Sequence, residues 1–344
     1  MREPAFWHRP PSWISLLLTP LAALYGLIAG HRLQRQGLDA GIPLLCVGNY
    51  HVGGAGKTPT VLALTGLLRD LGETPVVLSR GYGGRLRGPV KVDPARHAAG
   101  DVGDEPLMMA STVAVVVARD RIEGVALARS QGATVILMDD GFQNPAIAKD
   151  ASLIVIDGER GLGNGCVFPA GPLRAPLSPQ LDRTDALIVV GGGSAAKPVA
   201  TALAARGRPV LSAHLRPHEA SVKALQGKRA LAFAGVGDPA RFFRTLRACG
   251  IDVAAERAFP DHHPFSESEI ETLIAHASRE ALTLVTTEKD MARLLAPGGA
   301  LAFWANDIIP FAVRLEFDDP AQLRKLVTDR LFQARANKFR ATSS

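Results

Sequence analysis

From residue 41 onward, short runs rich in Val, Ile and Leu alternate with longer stretches in which apolar residues recur at helical spacing. That alternation is how a mostly parallel sheet with crossover helices is written in sequence. Strands are predicted over 44–47, 76–79, 113–117, 135–138, 153–156, 187–190 and 210–213, with helices over 58–71, 121–131 and 195–206. A shorter series follows, with strands at 230–234, 253–258 and 282–286, helices at 239–249 and 267–276, a strand at 312–317 and a last helix from 321. The break near residue 218 predicts a larger α/β domain over 36–218 and a smaller α/β subdomain over 219–344, preceded by a separate segment over 1–35. No internal repeat or low-complexity tract interrupts the pattern.

The segment before residue 36 has a different character. No Asp, Glu, Lys or Arg lies between Arg9 and Arg32, and the stretch 13–30 is dense in Leu, Ile and Ala. Its length is marginal for a spanning helix, which needs about 20 apolar residues, and it holds Pro20, Ser15, Thr19 and two glycines. A secretory signal would place the remainder outside the cell, away from cytosolic nucleotide. A buried core helix is the plainest alternative. The reading favoured here is a helix lying in a membrane interface, with Trp13 and Tyr25 at headgroup depth and Arg9, Arg32 and Arg35 at its flanks.

Of 344 residues, 47% are hydrophobic and 21% charged, the balance of a globular chain with ample core. Cys46, Cys166 and Cys249 lie far apart, which disfavours a disulfide framework or a zinc site. The net charge of +6, with six Lys/Arg against one acid over 321–340, suits an anionic partner. Aromatics are few, with only Phe332 and Phe339 in that basic tail, so membrane phosphate is expected rather than nucleic acid.

The strongest chemical signal is the run Gly48-Asn49-Tyr50-His51-Val52-Gly53-Gly54-Ala55-Gly56-Lys57-Thr58-Pro59, between a predicted strand and a predicted helix. In that setting Gly53, Gly54, Ala55 and Gly56 let backbone N–H groups converge on phosphate oxygens at a helix N-terminus. Lys57 then reaches the β/γ-phosphates, the Thr58 hydroxyl ligates Mg²⁺, and Pro59 sits in the helix's first turn. The loop is an atypical phosphate loop, because His51 stands where the usual spacing has glycine. The expected fold is therefore α/β and P-loop NTPase-like, with ATP and Mg²⁺ as cofactors.

Other motifs extend the site. The apolar run 135–138 ends in Asp139 and Asp140, placing two carboxylates at the carboxyl edge of a strand, where Asp139 or Asp140 would hold Mg²⁺ opposite Thr58. Asp104 precedes a helical run and is the first choice for the base that an alcohol-phosphorylating enzyme needs; its neighbour Glu105 is as readily a helix cap. In the loop 259–265, His262 and His263 are poor joint ligands for one metal, but one imidazole would reach a carboxylate or phosphate across an interdomain cleft; a histidine bonded only to local backbone is the alternative. Thr287, in the run 286–290, lines a nucleotide or merely caps the next helix. The loops 79–84 and 171–174 carry glycine and arginine suited to anionic groups.

Taken in order, GNYHVGGAGKTPT, SRGYGG, VGDEP, LMDDGFQN, GPLR, FPDHHPF and TTEKD closely resemble the tetraacyldisaccharide 4′-kinases of lipid A biosynthesis, from about residue 7 to about 331. The resemblance implies a bacterial inner-membrane-associated enzyme facing the cytoplasm, with no obligate protein partner. It would transfer the γ-phosphoryl of ATP to the 4′-hydroxyl of a tetraacylated glucosamine disaccharide 1-phosphate. It implies Asp104 as base with His262 as its dyad partner, and Lys57 and Asp140 in phosphoryl transfer beside the Mg²⁺ ligands Thr58 and Asp139. Two positions depart from the family pattern: Asn144 replaces a histidine and Ala175 replaces a glutamate.

Other classes fit less well. A membrane-partitioning ATPase would carry a signature lysine where Val52 stands, and a metal-insertion GTPase would carry a guanine-reading NKxD, which this chain lacks. A soluble kinase for a small metabolite leaves the apolar N-terminal stretch unexplained.

Overall fold

The computed structural model describes residues 3–54, 56–295 and 301–342, so the expected phosphate ligand Ala55 lies outside the described residues. The strands, in chain order, are β1 Leu44–Gly48, β2 Pro75–Ser79, β3 Val90–Lys91, β4 Ala114–Val117, β5 Val135–Asp139, β6 Ala151–Asp157 and β7 Ala186–Val190. They continue with β8 Val210–Pro217, β9 Arg229–Ala234, β10 Asp252–Ala258, β11 Thr283–Thr287, β12 Ile308–Phe311 and β13 Val313–Phe317. A nine-stranded sheet runs β13-β8-β7-β6-β1-β5-β2-β4-β3, parallel except at its two edges, and a four-stranded parallel sheet runs β10-β9-β11-β12. The inner strands β1, β2, β5 and β6 are buried along their whole length. Helices cover both faces, which is why these strands read as continuous apolar runs rather than alternating ones.

Strand β1 lies between β5 and β6, and the chain leaves β1 toward one side and β6 toward the other. Ligands of open α/β sheets bind in the crevice at such a reversal, outside the carboxyl ends of the strands. The phosphate loop follows β1 at that point. Val47 pairs with Asp139 in the β1–β5 register, and the Asp140 amide donates to the Val47 carbonyl at 3.0 Å, so both acids stand beside the loop.

The expected single break near residue 218 is corrected by the chain's return. Strand β13 pairs antiparallel with β8, from Val313 opposite Pro217 to Phe317 opposite Ala213. Leu315, Leu323, Val327 and Leu331 join the core of the large sheet, and the final helix Pro320–Thr342 belongs to that half. The smaller subdomain is the four-stranded sheet and its helices, inserted between β8 and β13. Strand β12 and the helices Leu177–Asp182 and Glu219–Leu225 lay outside the sequence expectations.

The apolar N-terminal stretch is one helix, Trp13–Leu33, with Pro20 inside it. Its buried positions are Ser15, Ala22, Gly26, Gly30 and Leu33, a narrow stripe of mostly small residues. A Cβ on Gly26 would stand 3.4 Å from Pro176, so the small side chain permits this close docking. The opposite side leaves Trp13, Leu16, Leu17, Leu21, Leu24, Leu27 and Ile28 exposed. A core helix of a water-soluble domain buries its large apolar side chains and exposes its small or polar ones; this helix does the reverse.

Candidate active site

The loop after β1 takes the conformation that its glycines permit. Gly53 and Gly56 have φ of 109° and 87°, and Gly56 is the N-cap of the helix Lys57–Asp70. A side chain at either position would be strained. Asn49, fully buried, donates from Nδ2 to the Gly53 carbonyl at 2.9 Å and to His51 Nδ1 at 3.3 Å, bracing the turn from beneath. His51 is therefore a buried neutral imidazole. Burial pushes its pKa down to about 3, and the charges of Lys57 and Arg174 add to the shift. It occupies the space that the missing glycine would have left open.

Lys57 Nζ donates to the Gly53 carbonyl at 3.5 Å and lies 3.8 Å from Asp140 Oδ1. Asp140, at φ 48°, is held by a two-pronged contact from Arg174, with Nη1 to Oδ1 at 2.7 Å and Nη2 to Oδ2 at 3.1 Å. Burial alone would raise the Asp140 pKa, but Lys57 and Arg174 outweigh it and bring it down to about 2. This carboxylate is ionised at neutral pH.

Asp139 has the opposite environment. It is buried, Ser79 Oγ donates to its Oδ2 at 3.3 Å, and its Oδ1 has no hydrogen-bond partner. Burial first, then the negative charges of Glu105 and Asp140, push its pKa up to about 7. An orphaned carboxylate oxygen on Asp139 and a buried hydroxyl on Thr58 are the kinds of donor that a P-loop magnesium uses, with water and substrate phosphates completing the shell. The residues fit Mg²⁺ at this place. Arg121, also buried, adds a positive field near Asp139, and its Nη1 donates to the Ala118 carbonyl at 3.3 Å. Sequence reading passed over Arg121 because nothing in its local pattern separates it from a surface residue of an amphipathic helix.

The second part of the site comes from both halves of the molecule. Asp104 opens the helix Asp104–Ala110 after Gly103, whose φ is 93°, and is almost fully buried. His262, at the left-handed φ of 59°, donates from Nδ1 to Asp104 Oδ2 at 3.0 Å. Arg293 donates to the same oxygen from Nε at 3.2 Å and from Nη2 at 2.6 Å. Burial works to raise the Asp104 pKa, but the His262 and Arg293 hydrogen bonds prevail and hold it well below the usual carboxylate range. Reciprocally, the Asp104 hydrogen bond raises the His262 pKa against the opposing effect of burial. Arg293 was not singled out in the sequence; it follows the TTEKD run on the helix Glu288–Leu294, and its only clue is helical spacing from Asp290.

The remaining candidates sort themselves by contact. Glu105 pairs with Lys289 across the cleft instead of capping its helix. Thr287 does cap, accepting from the Asp290 amide at 3.1 Å, and it also lines a cavity of about 400 Å³ with Thr58, Pro59 and Lys289. His263 stacks on Phe259 at 5.0 Å and bonds Glu269 at 2.9 Å, a local role. Tyr82 of the 79–84 loop meets the His262 ring edge-on at 6.0 Å. Asn144 forms a turn, its Oδ1 accepting from the Ala146 amide at 2.8 Å, and Ala175 is fully buried with its carbonyl taken by Gln180 at 2.8 Å. Two more ion pairs close the cleft from its other side, Asp157 to Arg241 and Arg160 to Asp238, both at 2.7 Å. Beside them a cavity of about 1030 Å³ is lined by Gly53 and Gly54 from one half and Pro260 and Asp261 from the other.

Comparison with known proteins gives one consistent result. The family model described as "Tetraacyldisaccharide-1-P 4′-kinase" matches residues 14–332. A tetraacyldisaccharide 4′-kinase of Bradyrhizobium diazoefficiens is 70% identical over 339 residues, 98% of this chain and 99% of that protein. One of Nitrobacter hamburgensis is 68% identical, covering 97% of this chain and 100% of that protein. Among solved structures, LpxK from Aquifex aeolicus in complex with ATP superposes with a TM-score of 0.73 at 26% identity, covering 92% of this chain and 99% of that one.

Proposed function

The chain belongs to the tetraacyldisaccharide-1-P 4′-kinase family, and from that membership we propose how its residues divide the work of phosphorylating a lipid sugar. The reaction is transfer of the γ-phosphoryl group of ATP to the 4′-hydroxyl of a tetraacylated glucosamine disaccharide 1-phosphate, a step of lipid A biosynthesis. The amides of Gly53, Gly54 and Gly56 cradle the phosphates, and Lys57 leaves its resting contact with Asp140 to meet the β/γ oxygens. Asp140, pinned by Arg174, keeps a negative charge opposite Lys57 and fixes where the ammonium can go. Thr58 and Asp139 would hold Mg²⁺, which when bound neutralises charge that develops on the phosphates.

Asp104 serves the acceptor. As the sugar oxygen bonds to the γ-phosphorus and the bond to the β–γ bridging oxygen breaks, the hydroxyl proton passes to the Asp104 carboxylate and ADP leaves with the bridging electron pair. A carboxylate held at low pKa is a weak base in water. It suffices here because phosphoryl transfer has a loose transition state, in which the nucleophile surrenders its proton late and orientation matters most. This assignment rests on one observation above the others: a buried carboxylate of the phosphate-loop half is gripped by His262 of the opposite half.

The helix Trp13–Leu33 would lie in the cytoplasmic face of the bacterial inner membrane, its exposed leucines among acyl chains and its small-residue stripe on the protein. An acyl-bearing disaccharide would then reach the cleft without leaving the bilayer surface. The test is incubation of purified protein with γ-labelled ATP, Mg²⁺ and the disaccharide lipid, with the product analysed by mass. Label in a lipid bearing one added phosphate, lost when Mg²⁺ is omitted, is expected; ADP release without a phosphorylated lipid contradicts the reading.

A further inference from the structure

The contacts at Asp104 converge on one of its two oxygens. His262 Nδ1 and the Arg293 Nε and Nη2 all donate to Oδ2, while Oδ1 accepts no hydrogen bond among the described residues. Arg293 is itself fixed. Its Nη1 donates to the Gly235 carbonyl at 2.8 Å and pairs with Asp290 Oδ1. Asp290 is fully buried and takes the Gly235 amide at 3.1 Å and the Thr287 hydroxyl at 2.7 Å on Oδ2. The Gly235 carbonyl also accepts the His262 amide at 3.1 Å, so one peptide sets the spacing of both donors. A Cβ on Gly235 would stand 3.2 Å from Asp290 Oδ1 and from the Pro260 carbonyl, which leaves this junction little room for a larger residue.

We propose that Arg293, braced by Asp290, is a positioning residue for the acceptor base: it holds Asp104 Oδ2 from the small subdomain so that Oδ1 alone faces the incoming hydroxyl. The inference rests on Asp104 being the base. Its consequence is that the base is complete only when the two halves are docked, because every donor to Oδ2 comes from the inserted subdomain. A planar guanidinium with two parallel donors fixes a carboxylate's plane as well as its charge, which an ammonium cannot do. The charged surroundings are Glu105 on the same helix, Asp261 beside His262, with 3.7 Å between its carboxylate and His262 Nε2, and Lys289, Asp290 and Arg293 on the facing helix.

The experiment uses full-length protein and three variants, Arg293→Met, Arg293→Lys and Asp104→Ala, with kcat, both KM values, ATP affinity and the pH profile of kcat/KM measured for each. Arg293→Met is expected to lower kcat by ~10–10² while leaving the KM values and ATP affinity within about twofold, the signature of an interaction used in the transition state. Its acidic limb moves to higher pH, since the Arg293 contacts that lower the Asp104 pKa are lost while burial and the His262 hydrogen bond remain, so the carboxylate protonates earlier on acidification. Arg293→Lys restores the limb but not the full kcat, because charge returns without the fork. Should Arg293→Met fail to fold, Arg293→Lys and Asp290→Asn read the same kcat loss at unchanged ATP affinity. Wild-type kcat and an unmoved limb in the Arg293 variants, with Asp104→Ala inactive, overturn the inference. An active Asp104→Ala overturns the base assignment beneath it.

Discussion

The two ends of the catalytic cleft are built on different plans. At the nucleotide end the bracing hydrogen bonds are internal to the large sheet's half: Asn49 braces Gly53, Arg174 pins Asp140 and Ser79 holds Asp139. At the acceptor end the carboxylate comes from the large half and all its donors from the inserted subdomain. On the proposed reading the phosphate loop is braced without the inserted subdomain, although that subdomain lines the cavities beside it. A base completed by another unit is tied to docking of the two, so phosphoryl transfer and nucleotide binding are separable in a way that single substitutions can expose.

The largest expected effect is on the nucleotide side. Lys57→Ala removes the ammonium proposed to meet the β/γ-phosphates and should lower the transfer rate by ~10³ or more. A melting temperature equal to that of the unsubstituted protein would show that the fold survives. Arg174→Ala frees Asp140 from its two-pronged contact and lets its pKa rise from about 2, although Lys57 still restrains it. Turnover should fall by about 10² with a weaker ATP affinity, because the carboxylate no longer fixes the lysine. An unchanged ATP affinity in that variant would detach Asp140 from nucleotide positioning.

The cross-cleft contact carries its own pH signature. The folded His262 pKa is raised, so its contribution to docking is fully present below the ordinary imidazole value and is lost as pH rises through the folded value. The folded Asp104 pKa is depressed, so its contribution is present above the ordinary carboxylate value and disappears only as pH falls far into the acid range. Protection of the amides in the helix Glu288–Leu294 against exchange, relative to their intrinsic rate at each pH, should therefore fall on the alkaline side of the ordinary histidine range, while protection in the phosphate-loop helix stays constant. Parallel changes in both helices would contradict a docking-specific effect. The smallest effect on chemistry should come from Leu17→Glu with Leu24→Glu on the exposed face of the first helix. Burial of one leucine contributes about 1.5 kcal/mol or more, so vesicle binding should weaken by roughly tenfold or more per substitution, with ATP affinity untouched.

The same contrast governs what could be read in the sequence. The phosphate loop, the double aspartate and the strands that carry them are contiguous, and their chemistry depends on neighbours within a few residues. Arg293 lies 189 residues from Asp104, and nothing local to either names the other. The strand at 312–317 falls in the smaller subdomain by sequence for a related reason: its residues suit an edge strand anywhere, and only pairing with β8 decides the matter. Asn144 and Ala175 break the family pattern, and the structure gives them a turn and a buried peptide, with no carboxylate at the second position.

The most direct test of the central claim is the rate of phosphate transfer to the disaccharide lipid by Asp104→Ala, measured with its ATP affinity on the same preparation. The account predicts a rate lower by ~10²–10⁴, the usual contribution of a general base, with ATP affinity unchanged. A near-normal rate, or a loss of ATP binding equal to the loss of rate, would contradict it.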